Sequence, residues 1–214
     1  VLMSDRSDGD LSSVQDRAVV DSVRMLLAPT PWTWLRQVHG DAVVTVNVAG
    51  EGAGAEADAA VTGVPGAVLA VQVADCVPVA LLSDQGVIGV AHAGWKGLAG
   101  GVLQATRDAM SELGALSFRA IVGPGICVRC YEFGEPELTA LAHQFGPEVR
   151  GQTAEGTAAM DMAAGVAAAL RDMRIDDVEW HNDCTSCHPE RFWSWRARAE
   201  SSRQAMIVLM DPAS

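Results

Sequence analysis

Three side chains in the first half of the chain have the chemistry of a metal centre or of a nucleophilic site. They are His39 in "RQVHG", Cys76 in "ADCVPV" and His92 in "AHAGWKG". Each closes a strand-like run and is followed within two residues by Gly or Pro. That pattern puts a side chain at the end of a sheet, where functional groups concentrate. Cys76 and His92 read as a thiolate nucleophile and its base. With His39 added, the trio reads as metal ligands, since thiolate and imidazole are the preferred partners of Zn²⁺. Three protein ligands with an open fourth position is the pattern of catalytic zinc, whereas structural zinc is closed by four. Taken singly, each residue is as well explained by a buried Cys or a structural His. The three come from separate runs, so their spacing is not itself a metal motif.

The other cysteines form two C-x-x-C pairs, Cys127 with Cys130 and Cys184 with Cys187. Such pairs can close a structural zinc site, but the 53 residues between Cys130 and Cys184 far exceed the usual spacing of about 15–20. Free thiols, or one ligand by chance, are expected instead. "CTSCH" also fits the haem-attachment pattern C-x-x-C-H. The opening "VLMSDRSDGD" turns polar after three residues and lacks the apolar stretch of a secretion signal. The richest apolar window, "GAVLAVQVADCVPVALL", is broken by Gln72 and Asp75, short of the roughly 18 apolar residues of a membrane span. The expectation is a cytoplasmic protein with reduced thiols, no haem and no membrane segment.

The elements that must position these residues follow from periodicity. Ser13 to Leu27 carries apolar residues at helical spacing, with Ser12 or Ser13 as cap and Pro29 and Pro31 ending it. Six β-rich runs follow without an intervening helix: "WTWLRQVH", "AVVTVNV", "ADAAVT", "AVLAVQV", "PVALLS" and "GVIGVAHA". That argues against a doubly wound alternation. "GWKGLAGGVLQATRDAMSELG" reads as one helix. "EPELTALAHQFG" and "DMAAGVAAALRDM" are two more, the last capped by Asp161, and "FRAIVG", "DVEWHND" and "QAMIVLM" are strands. "AGEGAGAEA" reads as a surface loop. The class is α+β: one domain over 1–214, with mixed β-sheets flanked by helices. The net charge of −12 repels phosphate backbones and excludes nucleic acid as a partner, so a small anion would need a local pocket of Arg or Lys.

Read in order, "RQVHG", "EADAAVT", "PGAVLAVQVADCVPVAL", "GVAHAGWKGLAGGV", "GPGICVRCYEFG" and "CT" followed by "FWSWR" resemble the YfiH-type family. That family was long labelled polyphenol oxidase, laccase domain, and later described as zinc-dependent purine nucleoside phosphorylases. The resemblance runs from about Asp5 to the C-terminus. It implies a single α+β domain, Zn²⁺ as cofactor on His39, Cys76 and His92, and purine nucleoside and phosphate as small-molecule partners. The implied reactions are phosphorolysis of adenosine, inosine and methylthioadenosine, with adenosine deaminase activity. The family's terminal signature begins Cys-Thr and ends in an aromatic-Ser-aromatic-Arg-Arg cluster. Cys187 and His188 fall in its variable part, and Ala197 stands where the second Arg is usual. The candidates for holding phosphate are Arg196, then Arg36, then Arg198. Arg36 precedes His39 by three residues, which on a regular strand puts it on the opposite face. The same rule turns Asp75 away from Cys76, from where it can still orient a ligand. Trp193 and Trp195 flank Ser194, and one of them is a candidate to face a base or ribose.

The laccase label fails on ligand arithmetic. Multicopper centres draw on many histidines, largely as H-x-H pairs, and this chain has five His and no H-x-H. His143 reads as a helix C-terminal dipole partner; His181 and His188 are second-rank candidates. Two alternatives to a phosphorylase stay open. One is a cysteine hydrolase or deamidase using Cys76 and His92, since the family shares its fold with such enzymes. The other is a non-enzymatic metal- or nucleoside-binding protein.

Overall fold

The computed structural model describes residues 1–13 and 15–210. Strand alternation sorts the apolar residues into three cores. In the Val68–Val73 strand, Leu69 and Val71 face a core between two sheets, while Val68 and Ala70 face a second core beneath the Arg17–Leu27 helix. The five-stranded sheet runs in the order Leu2–Met3, Gln204–Leu209, Val68–Val73, Trp32–Arg36, Ala55–Glu56. The six-stranded sheet runs Val178–Trp180, Arg119–Val122, Val77–Leu82, Ile88–Ala93, Ala59–Thr62, Val43–Val46. Its outer face packs Val77, Val79 and Leu81 against the helices Val102–Glu112, Glu135–Phe145 and Met162–Asp172, which form the third core. The layers are thus helix, sheet, sheet, helices. Both sheets mix parallel and antiparallel pairs, and the class is α+β.

The six helix-free runs are all strands, and the doubly wound alternative is gone. Three boundaries differ from expectation. The first helix begins at Arg17, because Asp16 and not Ser12 or Ser13 caps it, accepting from the Ala18 amide at 2.8 Å; Val14, assigned to that helix, lies outside the described residues. The helix after His92 is two helices, Trp95–Gly100 and Val102–Glu112. They are joined at Gly101, whose φ of 92° is left-handed and open mainly to glycine. The Ala49–Ala57 loop contributes a short strand, Ala55–Glu56, that pairs in parallel with Leu35–Arg36. Asp161 caps its helix as expected, accepting from the Ala164 amide. Among the described residues no helix is long and apolar enough to cross a membrane.

Three chain segments meet at one end of the sheet sandwich. The Trp32–Arg36 strand, parallel to Val68–Val73, ends in the turn that carries His39. The Val68–Val73 strand crosses from one sheet to the other through Ala74, Asp75 and Cys76 before Val77–Leu82 begins. His92 shares the inner face of its strand with Ile88 and Val90, which belong to the inter-sheet core.

Candidate metal and nucleoside site

The structure brings the three predicted side chains together. One ligand atom from each of His39, Cys76 and His92 lies within 4.8 Å of the other two. Cys76 Sγ is 3.8 Å from His39 Nε2, and the two imidazoles meet edge to face with centroids 4.8 Å apart. His92 is buried, Cys76 half-buried and His39 exposed, so the cluster opens on one side. A borderline-soft set of two nitrogens and one thiolate with an open side fits zinc.

Asp58, which the sequence reading passed over, organises this cluster. Its carboxylate is fully buried and accepts His92 Nδ1–H at 2.7 Å. That bond leaves Nε2 as the ring nitrogen turned to Cys76 and available to a metal. The same carboxylate accepts the amides of Val38 (3.1 Å), His39 (3.0 Å) and Gly40 (2.7 Å). It thereby holds His39 at φ 60°, a left-handed conformation unusual for a residue with a Cβ. Burial pushes the Asp58 carboxyl up, but the bonds from His92 and from the Gly40 and Val38 amides outweigh it and leave it below its ordinary value. Burial likewise opposes charge on Cys76 and His92. Their mutual attraction, with help from His39 and Asp58, wins: the thiol is pulled down and the imidazole up. A single acid inside the small apolar run "ADAAVT" was the available signal, because an isolated carboxylate is not buried without partners.

The glycines of "HAGWKG" are spatial requirements. A Cβ on Gly94 would stand 2.6 Å from His39 Cδ2 and 3.2 Å from Cys76 Sγ; one on Gly97 would stand 2.7 Å from the Gly40 carbonyl. Gly94→Ala is therefore expected to displace the His39 ring while leaving the sheets intact. Overpacking of this kind costs about 1–3 kcal/mol, roughly a 5- to 150-fold loss of metal affinity, readable by competition with a chromogenic chelator. Unchanged affinity would mean that His39 is not a ligand.

Asp75 does not sit on a regular strand. The strand stops at Val73, and Asp75 takes φ 94°. Its carboxylate accepts Thr185 Oγ1–H at 2.7 Å and the Arg196 amide at 2.6 Å. The residue beside Cys76 thus pins both ends of the terminal signature.

A cavity of about 610 Å³ opens over the trio. Of the three Arg candidates, Arg196 lines it and lies over the Tyr131 ring at 5.0 Å. Arg36 also lines it, but its guanidinium is paired with Glu56 across the short parallel strand pair. Arg198 is not brought to the cavity. It bonds Glu200 Oε2 and the carbonyls of Ser186, Thr185 and Phe192, so it staples the C-terminal segment. Lys96, named in a motif but given no role, lines the cavity beside Trp95. Neither Lys96 nor Arg196 has a carboxylate partner among the described ion pairs. Burial foremost, and the Cys76 charge, push the Tyr131 phenol up to about 12, so it stays protonated at neutral pH. Of the two tryptophans, Trp193 is buried under Arg6, whereas Trp195 lines the cavity and is 57% exposed.

His181 and His188 stay apart from this cluster, each beside a glutamate. His143 lies in the last turn of its helix. Only two of the five histidines join a ligand cluster among the described residues. The two C-x-x-C pairs do the opposite of what their spacing suggested: Cys127, Cys130, Cys184 and Cys187 form a single cluster.

A family model described as "Multi-copper polyphenol oxidoreductase laccase" matches residues 4–211. A Streptomyces coelicolor protein named purine nucleoside phosphorylase is 40% identical over 188 residues, covering 86% of this chain and 76% of that protein. The crystal structure of a Neisseria meningitidis protein superposes with a TM-score of 0.84 at 28% identity, over 94% of this chain and 86% of that one. Hypothetical protein YfiH of Bacillus licheniformis superposes with a TM-score of 0.81 at 26% identity, over 92% and 84% of the two chains. The paired imidazoles, the single thiolate and the near-complete match together lead to one conclusion: the chain belongs to the YfiH-type family that carries the laccase label.

Proposed function

We propose that this chain is a zinc-dependent purine nucleoside phosphorylase, one domain over 1–214, acting in the cytoplasm. The observation that carries the reading is the site's composition: an open trio of N and S donors at the floor of a cavity of about 610 Å³. Lys96, Arg196 and the exposed Trp195 indole stand on its walls. That volume is in the range of small-molecule sites, about 300–1,000 Å³. The name of the Streptomyces coelicolor relative supports the reaction class.

His39, Cys76 and His92 would hold the zinc, which supplies a Lewis acid with an open position. The chain's own residues do the rest. Arg196 and Lys96 hold phosphate, offsetting the long-range repulsion of a protein at −12. Trp195 offers a flat face to the purine, and Tyr131 a neutral O–H donor. A phosphate oxygen attacks C1′ of the ribose, the C1′–N bond breaks, and the electron pair leaves with the purine, which takes up a proton. Adenosine, inosine and methylthioadenosine share this bond. Adenosine deamination is a second reaction of the same site.

The test is turnover of inosine with and without phosphate, with ammonia release from adenosine followed in parallel. Phosphate-dependent release of hypoxanthine supports the reading; phosphate-independent release, or no turnover of metal-loaded protein, sinks it. No turnover with retained nucleoside affinity would favour a binding protein. Arg196→Ala removes a charge-assisted contact worth about 1.5–3 kcal/mol, roughly a ten- to hundredfold loss. The loss should fall on the phosphate dependence of inosine cleavage and spare deamination. Wild-type phosphate dependence in this variant would move the clamp to Lys96 or Arg36.

A cysteine hydrolase is the second reading. It is favoured by the lowered Cys76 thiol, the raised His92 imidazole and the 2.7 Å bond from His92 to Asp58, the arrangement of an activated nucleophile with an oriented base.

A further inference from the structure

We infer that Cys127, Cys130, Cys184 and Cys187 form a second, structural metal site that takes zinc. Their four sulfurs lie within 4.8 Å of one another. Tetrahedral zinc with Zn–S bonds of about 2.3 Å separates its sulfurs by about 3.8 Å. Cys130 Sγ and Cys187 Sγ are 3.5 Å apart, too far for a disulfide bond of about 2.0 Å and close to the tetrahedral edge. The Cys127 amide donates to Cys184 Sγ at 3.2 Å, the kind of bond that supports a thiolate ligand. Cys184 is buried, Cys127 and Cys130 half-buried, and Cys187 exposed, which leaves a path for the ion.

The tertiary fold explains how pairs so far apart in sequence close one site. The Arg119–Val122 and Val178–Trp180 strands pair in parallel, so their C-terminal ends lie side by side. Each C-x-x-C follows one of those ends by a few residues. A bridge from Gly125 to Cys184 and the bond from the Thr185 amide to the Gly125 carbonyl already align the two loops. Four thiolates leave no open position, so the role is structural and not catalytic.

What the ion would hold is the wall of the cavity. Cys130 adjoins Tyr131, which lies under Arg196. Cys184 adjoins Thr185, whose hydroxyl reaches the Asp75 carboxylate that also fixes the Arg196 amide. The cluster thus ties the Tyr131 loop to the Arg196 loop.

The test is metal content per chain after expression in zinc-supplemented medium and purification under reducing conditions. Wild-type protein should hold two zinc ions, Cys76→Ser one, and the Cys130→Ser/Cys187→Ser double variant one. Cobalt-substituted Cys76→Ser protein should show the intense ligand-field bands of tetrahedral thiolate coordination. Folded Cys76→Ser protein with no metal and four freely reactive thiols would overturn the site. A mass lower by the hydrogens of a disulfide, with no metal bound, would also overturn it. Should the variants fail to fold, cobalt-loaded wild-type protein decides: the bands of four-thiolate coordination support the inference, and their absence refutes it. Because the readout is metal and not turnover, this result stands apart from whether the enzyme is a phosphorylase.

Discussion

Replacing Cys76 with Ser is expected to remove one metal ion per chain and turnover together. A serine hydroxyl is not ionised at neutral pH, whereas the Cys76 thiol is held low by His92 and His39 against the cost of its burial. The substitution leaves two imidazoles and no anionic ligand in the trio. Metal Lewis acids contribute several kcal/mol to a transition state, so turnover should fall about a thousandfold or more. The comparison with wild type must be a difference in metal content, because the cysteine cluster would keep its own ion. A nucleophile behaves otherwise: its loss stops turnover and leaves metal content unchanged. An inactive Cys76→Ser protein with wild-type zinc would establish the cysteine hydrolase over the metalloenzyme.

The second large effect is expected at Asp58. Its carboxylate accepts from His92 Nδ1 and from three consecutive amides, Val38, His39 and Gly40. Asp58→Ala leaves those donors without their acceptor at a fully buried position. The orphaned His92 Nδ1–H is buried and costs about 1–3 kcal/mol; the three part-buried amides cost less each, and the left-handed turn at His39 loses what compensates its strain. Loss of an outer partner of a metal-ligating histidine typically lowers affinity about 10- to 100-fold. Here two members of the trio, His39 and His92, depend on one carboxylate, so the effect should reach the upper end of that range, with a clear fall in Tm. Asp58→Asn separates the two roles. Its amide oxygen in the Oδ2 position can accept from Val38 and Gly40, but its NH₂ in the Oδ1 position cannot accept from the His39 amide or from His92 Nδ1–H. Thermal stability should recover more than zinc affinity. Equal recovery of both would show that Asp58 acts on the backbone alone.

The difference between Cys76 and Asp58 marks what could be read in advance. A thiolate and imidazoles at strand ends announce themselves, because few residue types do metal chemistry and strand ends are where sheets present side chains. Asp58 has the same side chain as many solvated acids in this chain. Its role depends on which amides its buried position happens to face. Lys96 and Arg198 make the same point in opposite directions. Both are cations in recognisable motifs, yet Lys96 lines the cavity and Arg198 spends its guanidinium on carbonyls and Glu200.

Local periodicity and composition determined the element types and the α+β class, and marked the three side chains that the fold gathers into the trio. These depend on short-range rules: alternation of side chains along a strand, turn residues at its ends, and the small set of side chains that bind soft cations. Long-range pairing decided the rest. The parallel register of Arg119–Val122 with Val178–Trp180 converts two distant C-x-x-C pairs into one cluster. The left-handed turn at Asp75 brings the terminal signature onto the shoulder of Cys76. Neither follows from spacing along the chain, because sequence separation sets the entropy of closing a loop and not the place where its ends meet.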